Sequence, residues 1–410
     1  MHSHSINGFI NATMNILITI YYPLGYGGAE VSTQLICEEL KRRGHNIIFA
    51  SRGKFKDFKC YEIPSFKKNP IYSFYVRKLT KLLREIIRKE NIDVVYAQDF
   101  NTTKAAMISA KIEHVPISVH LRDYWFACPK SSCLKPNFEI CELCSYSRLF
   151  FCSKLWRFPW DIQRLYAIKS CWKLFKDAAI LFTGDSSTNR RLEKIGIPYS
   201  KYLSLNNFRD TKRFEKIKKT NKNAKKIFGF EGKTVLAFVG NFAYTKGFYT
   251  LITIIPQILV QHKDVAFLVV GKGEGQHYLL PLLKRFPNRL KHLWEMNYQS
   301  IEQVYAATDI LLLPTLWEEP YGGVQIEAAA AGISIIAGNV GGIRNGKFGV
   351  HISDDLDTTA WIREINRLLS NKRLRKQIAL KGKTFATTNL DIIPYVDKIE
   401  KSLLATQSFS

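Results

Sequence analysis

Residues 15–21 (NILITIY) form an apolar run without alternation, the pattern of a parallel strand buried on both faces. Glycines within 25–28 turn the chain. Residues 29–43 then space their apolar side chains as a helix does, and Gly44 ends it. Runs at 46–50, 92–97 (IDVVYA), 117–120 and 178–183 (AAILFT) continue the series. Strands separated by helical segments predict parallel βαβ units. The scheme starts again at 234–240 (TVLAFVG), with a helix near 250–261 and strands at 265–271 (VAFLVVG), 310–314 and 334–337. Between the halves, residues 212–226 carry eight basic residues against the single acid Glu215, which reads as a solvated helix or linker. The expected class is α/β, with doubly wound domains at 14–207 and 233–385, a basic linker at 208–232 and a disordered tail at 1–13. One large mixed sheet fits the pattern less well.

A chain of 410 residues with 46% hydrophobic content buries a sizeable core without disulfide staples. With 23% charged and 13% aromatic residues, it is not a disordered chain. Apolar stretches such as 328–337 are far shorter than the roughly 18 residues of a membrane span, and Gly332 and Ser334 interrupt that one. The opening MHSHSINGFINAT has neither the basic start nor the apolar stretch of a secretory signal, so the expected location is cytoplasmic. Lys and Arg number 60 against 35 Asp and Glu, a net charge of +25. That sign attracts nucleic acid, anionic lipid or phosphorylated substrates.

Two glycine-rich turns carry the chemistry. Gly27 and Gly28, in GYGGAE at 25–30, stand between a buried strand and a helix, where free N–H groups suit a phosphate. The spacing is neither GxGxxG nor a P-loop. The second turn, EEPYGGVQIE at 318–327, follows the strand at 310–314 and opens an Ala-rich helix. Glu319 and Glu327 are placed to accept hydrogen bonds from sugar hydroxyls, and the amides of Gly322, Gly323 and Val324 to hold a diphosphate. Binding loops of open α/β sheets lie at the carboxyl ends of strands, as this one does.

Glu319-x7-Glu327 within EPYGGVQIEAAAAG resembles the signature of family 4 glycosyltransferases. GGAE in the first loop, GNFAYTKG at 240–247, VVGKG at 269–273 and VGGI at 340–343 match that family in the same order, and the resemblance spans about residues 14–400. It implies a GT-B fold, with two Rossmann-like domains facing a cleft, the C-terminal one binding the nucleotide sugar and 386–410 returning as a helix to the N-terminal one. It also implies transfer from a nucleotide-activated sugar with retained configuration, and no required cofactor or metal. By the same resemblance, Glu319 contacts the donor sugar, Glu327 the ribose and Lys246 the diphosphate. Gly240 allows close approach, and Gly27 and Gly28 close from the opposite domain. Two departures stand out. The family usually has Arg or Lys where this chain has Asn241, so the diphosphate clamp is weakened or completed elsewhere. VGGI usually runs into Pro-Glu, and here runs into Arg344-Asn345-Gly346; Arg344 is one candidate for the missing charge.

The segment HLRDYWFACP at 120–129 resembles the family's His/Arg-Asp-Tyr-Trp-x2-Cys-Pro motif. His120 and Arg122 both lie near the slot where the family often has a cleft histidine. Asp123 is placed to orient or deprotonate an acceptor hydroxyl, or else to cap the next helix. In the mechanism favoured for the family, the leaving phosphate itself helps to deprotonate the acceptor, so no protein nucleophile is required. Cys128, Cys133, Cys141, Cys144 and Cys152 cluster just beyond; Cys141-x2-Cys144 has the spacing of a zinc knuckle, and four thiolates suffice for structural zinc. Free thiols are the other reading, with an iron–sulfur cluster a lesser one.

Residues 146–176 hold nine aromatics and seven Lys or Arg against the single acid Asp161, a composition suited to an anionic membrane surface. Residues 71–90 carry an apolar helical stripe that fits inward packing better than lipid. The expectation is a glycosyltransferase at the inner face of the membrane, acting on a glycan or lipid-linked acceptor in cell-surface polysaccharide synthesis. Rivals are a nucleic-acid-binding protein, a GT-B protein that binds nucleotide without turnover, and a nucleotide-sugar epimerase. No nucleic-acid recognition motif is present, and none of the charge arguments for nucleic acid explains the two acids of the glycine turn.

Overall fold

The computed structural model describes residues 13–23, 27–66, 71–294, 301–320, 322–344, 348–353 and 356–407. The tail at 1–12, Gly25, Tyr26, Tyr321, Asn345, Gly346 and the side chain of Arg344 lie outside the described residues.

The N-terminal sheet contains β1 (Asn15–Thr19), β2 (Asn46–Ser51), β3 (Lys59–Glu62), β4 (Val94–Ala97), β5 (Ile117–Leu121), β6 (Ile180–Thr183) and β7 (Tyr202–Ser204). Their order is β3-β2-β1-β4-β5-β6-β7, every pairing parallel. The C-terminal sheet contains β8 (Thr234–Val239), β9 (Val265–Val270), β10 (Leu290–Leu293), β11 (Ile310–Leu313), β12 (Ser334–Gly338) and β13 (Gly349–Ile352), in the order β10-β9-β8-β11-β12-β13, again parallel. The central strands are buried on both faces, as their unbroken apolar runs require. In each sheet the strand order reverses once, between β1 and β4 and between β8 and β11. In doubly wound folds the carboxyl-end loops at such a point diverge and leave the crevice in which ligands bind.

The chain crosses between the domains twice, side by side. Arg209 N–H donates to Leu390 O at 3.0 Å, and Thr211 Oγ1 donates to Asp391 Oδ2 at 2.5 Å. Beyond the second crossing, helix Ile392–Gln407 buries Tyr395, Val396, Ile399 and Leu403 in the same cluster as Met14, Ile16, Ile36 and Leu40. Arg43 fastens it through Asp397 at 2.7 Å and Glu400 at 2.6 Å.

Of the two forms expected for the basic stretch after the first crossing, solvated helix or linker, it takes the helical one but is only partly solvated. It forms the short helices Thr211–Glu215, Ile217–Thr220 and Ala224–Ile227. Phe214, Ile217, Phe228 and Phe230 from this stretch are buried in the C-terminal core, while most of its lysines face water. Helix Tyr72–Lys89 packs inward through Tyr75, Leu79, Leu83 and Ile86.

Candidate active site

Glu319 follows β11 in a loop that two glycines hold. Gly247, with φ +66°, closes the loop after β8; a Cβ there would lie 1.6 Å from Pro314 O, so only glycine fits. Thr245 O accepts a hydrogen bond from Leu316 N–H at 2.9 Å, joining the two loops. This seats Lys246 against Glu319, Nζ to Oε1 at 2.6 Å, with the ammonium 5.5 Å from the ring centre of Trp317. Gly341, φ +51°, packs on the backbone of Glu318 and Glu319 with no room for a Cβ, and Gly342 N–H donates to Glu319 O at 2.8 Å. Three of the matched motifs therefore converge on one residue, Glu319.

Helix Gly323–Ala330 begins at this loop. Gly322 caps it without a side-chain hydrogen bond, which leaves the first amides without a side-chain partner. Helix Gly28–Arg42 begins in the same way after Gly27, and Gly27 and Gly28 are exposed. Gly240 and the exposed Asn241 stand at the carboxyl end of β8. Val324 is half-buried near the helix start. Glu327 is buried: Oε1 accepts from Arg209 Nε at 2.6 Å and Oε2 from Tyr305 OH at 2.7 Å. The structure thus gathers Gly240, Asn241, Lys246, Glu319, Gly322, Gly323, Val324 and Glu327 at the C-terminal switch point, with Gly27 and Gly28 on the facing domain.

Three residues that sequence reasoning missed tie the cleft together. Glu318, next to Glu319, turns the other way and pairs with Arg191 of the N-terminal domain at 2.5 Å. Arg191 is fully buried and also donates to the carbonyls of Glu142, Ser187 and Cys141. Arg209 reaches from the first crossing to Glu327. No local pattern separates these arginines from the many basic residues around them.

His120 is not brought to this group. It is buried on β5, with Nδ1 2.7 Å from Tyr96 OH and Nε2 3.2 Å from Tyr395 OH. Burial, assisted by the Arg122 guanidinium, holds the ring well below the usual histidine range, so it stays neutral. In this arrangement both ring nitrogens are engaged, and the ring joins the returning helix to the sheet. Arg122, two residues on, instead donates to Gln98 Oε1 at 2.9 Å, near Glu30 of the first turn of helix Gly28–Arg42. Burial raises the Glu30 carboxyl.

Asp123 accepts from Trp125 N–H at 2.7 Å, a turn-capping bond. Burial pushes its carboxyl up to about 6, against the pull of that N–H and of Arg164. The thiols beyond it form a chain, Cys133 standing hydrogen-bonded between Cys128 and Cys141. Hydrogen bonding from Cys133 and from backbone N–H groups brings Cys128 down to about 6 despite burial. Cys128, Cys141, Cys144 and Cys152 border a cavity of about 270 Å³. All eight cysteines are free thiols, and among the described residues no three His, Cys, Asp or Glu side chains converge as a metal site. A groove of about 900 Å³ lined by His114, Pro116, Asp177 and Lys201 lies at the amino ends of β5 and β6, the wrong end of the sheet for this chemistry.

The raised Asp123 carboxyl has a definite thermodynamic sign. The fold favours the neutral acid, so this contribution is complete below the ordinary value of 3.8 and is lost as pH rises through about 6. Asp123→Asn keeps the acceptor for Trp125 and removes the charge. Its melting temperature relative to the unaltered protein therefore rises between pH 4 and pH 7, by up to about 3 kcal/mol in stability. A difference that stays flat over that range in thermal melts contradicts the assignment.

Comparison with known proteins agrees with this architecture. Residues 26–213 match the family model "Glycosyltransferase Family 4", and residues 219–385 match "Glycosyl transferases group 1". An uncharacterized 42.6 kDa protein in the cps region of Klebsiella pneumoniae is 22% identical over 80% of this chain and 86% of its own length. Lipopolysaccharide 1,2-N-acetylglucosaminetransferase of Salmonella typhimurium is 30% identical over 38% of this chain. That match spans 44% of the transferase, and a match to spore coat protein SA of Bacillus subtilis spans 46% of that protein, so under half of either relative is covered. Among solved structures, Anabaena HepE in complex with UDP and glucose superposes with a TM-score of 0.73 at 18% identity, covering 96% of this chain and all of that one. WaaG, a glycosyltransferase involved in lipopolysaccharide biosynthesis, gives 0.71 at 16% identity, covering 95% of this chain and 99% of that one. Both domains and the crevice between them thus fall within one family: the chain is a glycosyltransferase of group 1, family 4, with a GT-B fold.

Proposed function

We propose that this enzyme moves a sugar from a nucleotide-sugar donor to a hydroxyl of a glycan or lipid-linked acceptor, with retention of configuration, in cell-surface polysaccharide synthesis. The observation that carries the reading is the Lys246–Glu319 pair at 2.6 Å beside the uncapped helix start at Gly323. A nucleotide sugar answers both members at once. Its diphosphate takes the lysine and the open amides, and its sugar hydroxyls take the carboxylate. On this reading Glu327, one turn further along the helix, takes the ribose. The HepE structure named as a complex with UDP and glucose supports the donor class, and the cps-region and lipopolysaccharide relatives support the acceptor class.

Transfer on this reading needs no protein nucleophile and no metal. The leaving diphosphate accepts the acceptor proton, and the protein supplies position and positive charge. Asp123, with a carboxyl near 6, orients the acceptor hydroxyl from the facing domain.

The proposed work surface is an anionic membrane at the cytoplasmic face. Phe150, Phe151, Leu155, Trp156, Trp160 and Tyr166 are exposed on the segment 146–166, Phe151 by 80% and Leu155 by 87%. Lys154 and Arg157 stand among them, also exposed. Rings in water beside cations match a lipid interface with anionic headgroups. Among the described residues no helix is long and apolar enough to cross a membrane.

Two experiments test these claims. A panel of UDP-, GDP- and ADP-sugars is expected to contain at least one compound that raises the melting temperature and is consumed in the presence of EDTA. Glu319→Gln then lowers that turnover roughly 10- to 100-fold, the loss of a charge-assisted hydrogen bond; undiminished turnover contradicts the donor site. For the membrane, cosedimentation with phosphatidylglycerol vesicles is expected to weaken roughly 10-fold or more in Phe151→Ser/Trp156→Ser, because each ring forfeits about 1.5–3 kcal/mol of burial. Equal binding of that variant refutes the docking surface.

A further inference from the structure

Arg209 belongs to none of the matched motifs, yet it stands at the centre of the cleft. It is 4% exposed. Nε donates to Glu327 at 2.6 Å, and Nη1 donates to Ser32 Oγ at 3.0 Å and Phe208 O at 2.8 Å. Among the described residues Nη2 makes no hydrogen bond. It points between the two helix starts: a Cβ on Gly323 would fall 1.4 Å from Nη2, and one on Gly28 3.6 Å from it. Neither cap residue, Gly27 or Gly322, supplies a side-chain hydrogen bond; at helix Gly28–Arg42 the carboxyl of Glu30 lies over the first turn, with burial favouring its neutral form. A cation beside one helix N-terminus is electrostatically unfavourable, and this one faces two. Glu327 offsets part of that cost, and an anion lodged among the three donors would offset the rest. At the carboxyl end of β8, the position where the family resemblance implies a basic residue is the neutral Asn241.

We propose that Arg209 is a donor-binding residue that supplies from the interdomain crossing the diphosphate charge that Asn241 lacks. On donor binding, Nη2 and Nη1 take phosphate oxygens as a fork, a geometry that arginine offers and lysine does not. The Glu327 carboxylate is released from Arg209 to the ribose. Absence of a side chain at Gly323 is what lets the guanidinium come this close. Because Arg209 also touches Ser32 of the N-terminal domain, diphosphate binding draws on both domains at once. This inference rests on the nucleotide-sugar reading of the site.

The test uses the full chain and calorimetric titration with UDP, GDP and ADP and the matching monophosphates. If none of these binds the unaltered protein, the nucleotide-sugar reading fails and takes this proposal with it. With the best diphosphate identified, R209Q is expected to lose roughly 10- to 100-fold in diphosphate affinity. Its monophosphate affinity stays close to that of the unaltered protein. R209Q/N241R, which returns a cation to the site at the carboxyl end of β8, is expected to regain most of the loss. Should R209Q fail to fold, R209K keeps a charge beside Glu327, and its single ammonium still costs roughly 3- to 10-fold for the diphosphate alone. Diphosphate and monophosphate affinities that fall together, or an R209K preference for diphosphate that matches the unaltered protein, show a structural strut and overturn the proposal while leaving the donor site intact.

Discussion

Two buried ion pairs cross the cleft, Arg209 to Glu327 at 2.6 Å and Arg191 to Glu318 at 2.5 Å, and the position of the acid loop depends on them. A buried pair is a weak source of net stability, but removing one partner strands the other charge in a poorly solvated place. Each pair therefore acts as a constraint on geometry more than as glue. The two pairs differ in kind. Arg191 is saturated by three carbonyls besides Glu318, and its guanidinium lies 4.3 Å from the ring centre of Tyr124. Arg209 keeps one nitrogen turned toward the uncapped helix starts. One pair is built to stay, and the other is built to exchange partners.

The acid loop shows how adjacent residues divide the work. Glu318 faces the N-terminal domain and fixes the loop, whereas Glu319 faces Lys246 and remains addressable by a ligand. Motifs far apart in sequence converge on it because the glycines at 247 and 341 let backbones touch where a Cβ would not fit. The switch points of two parallel sheets then leave these loops opposite one another.

Much of this was legible in the chain. Central strands announce themselves as unbroken apolar runs because both of their faces are covered. The edge strands β3, β7, β10 and β13 were not read. KCYE and LKHL are short and partly polar, since an edge strand needs only one neighbour and one covered face. The acid turn was readable because a strand, glycines and a helix follow in order. His120 was misleading for a physical reason. It stands at the carboxyl end of its strand, as a cleft residue would, but Tyr395, 275 residues away, covers the face it points to. Arg209 and Arg191 were invisible because burial, which distinguishes them from other arginines, is a non-local property.

The central claim is that the bend between β11 and helix Gly323–Ala330 grips a nucleoside diphosphate sugar across the cleft. A crystal structure of the complex with the most stabilising nucleotide sugar tests it most directly. The account predicts phosphate oxygens within hydrogen-bond distance of the Gly323 and Val324 amides, with Lys246 moved from Glu319 to the diphosphate. A ligand lodged elsewhere, such as the groove at the amino ends of β5 and β6, with Lys246 and Glu319 still paired, would contradict it.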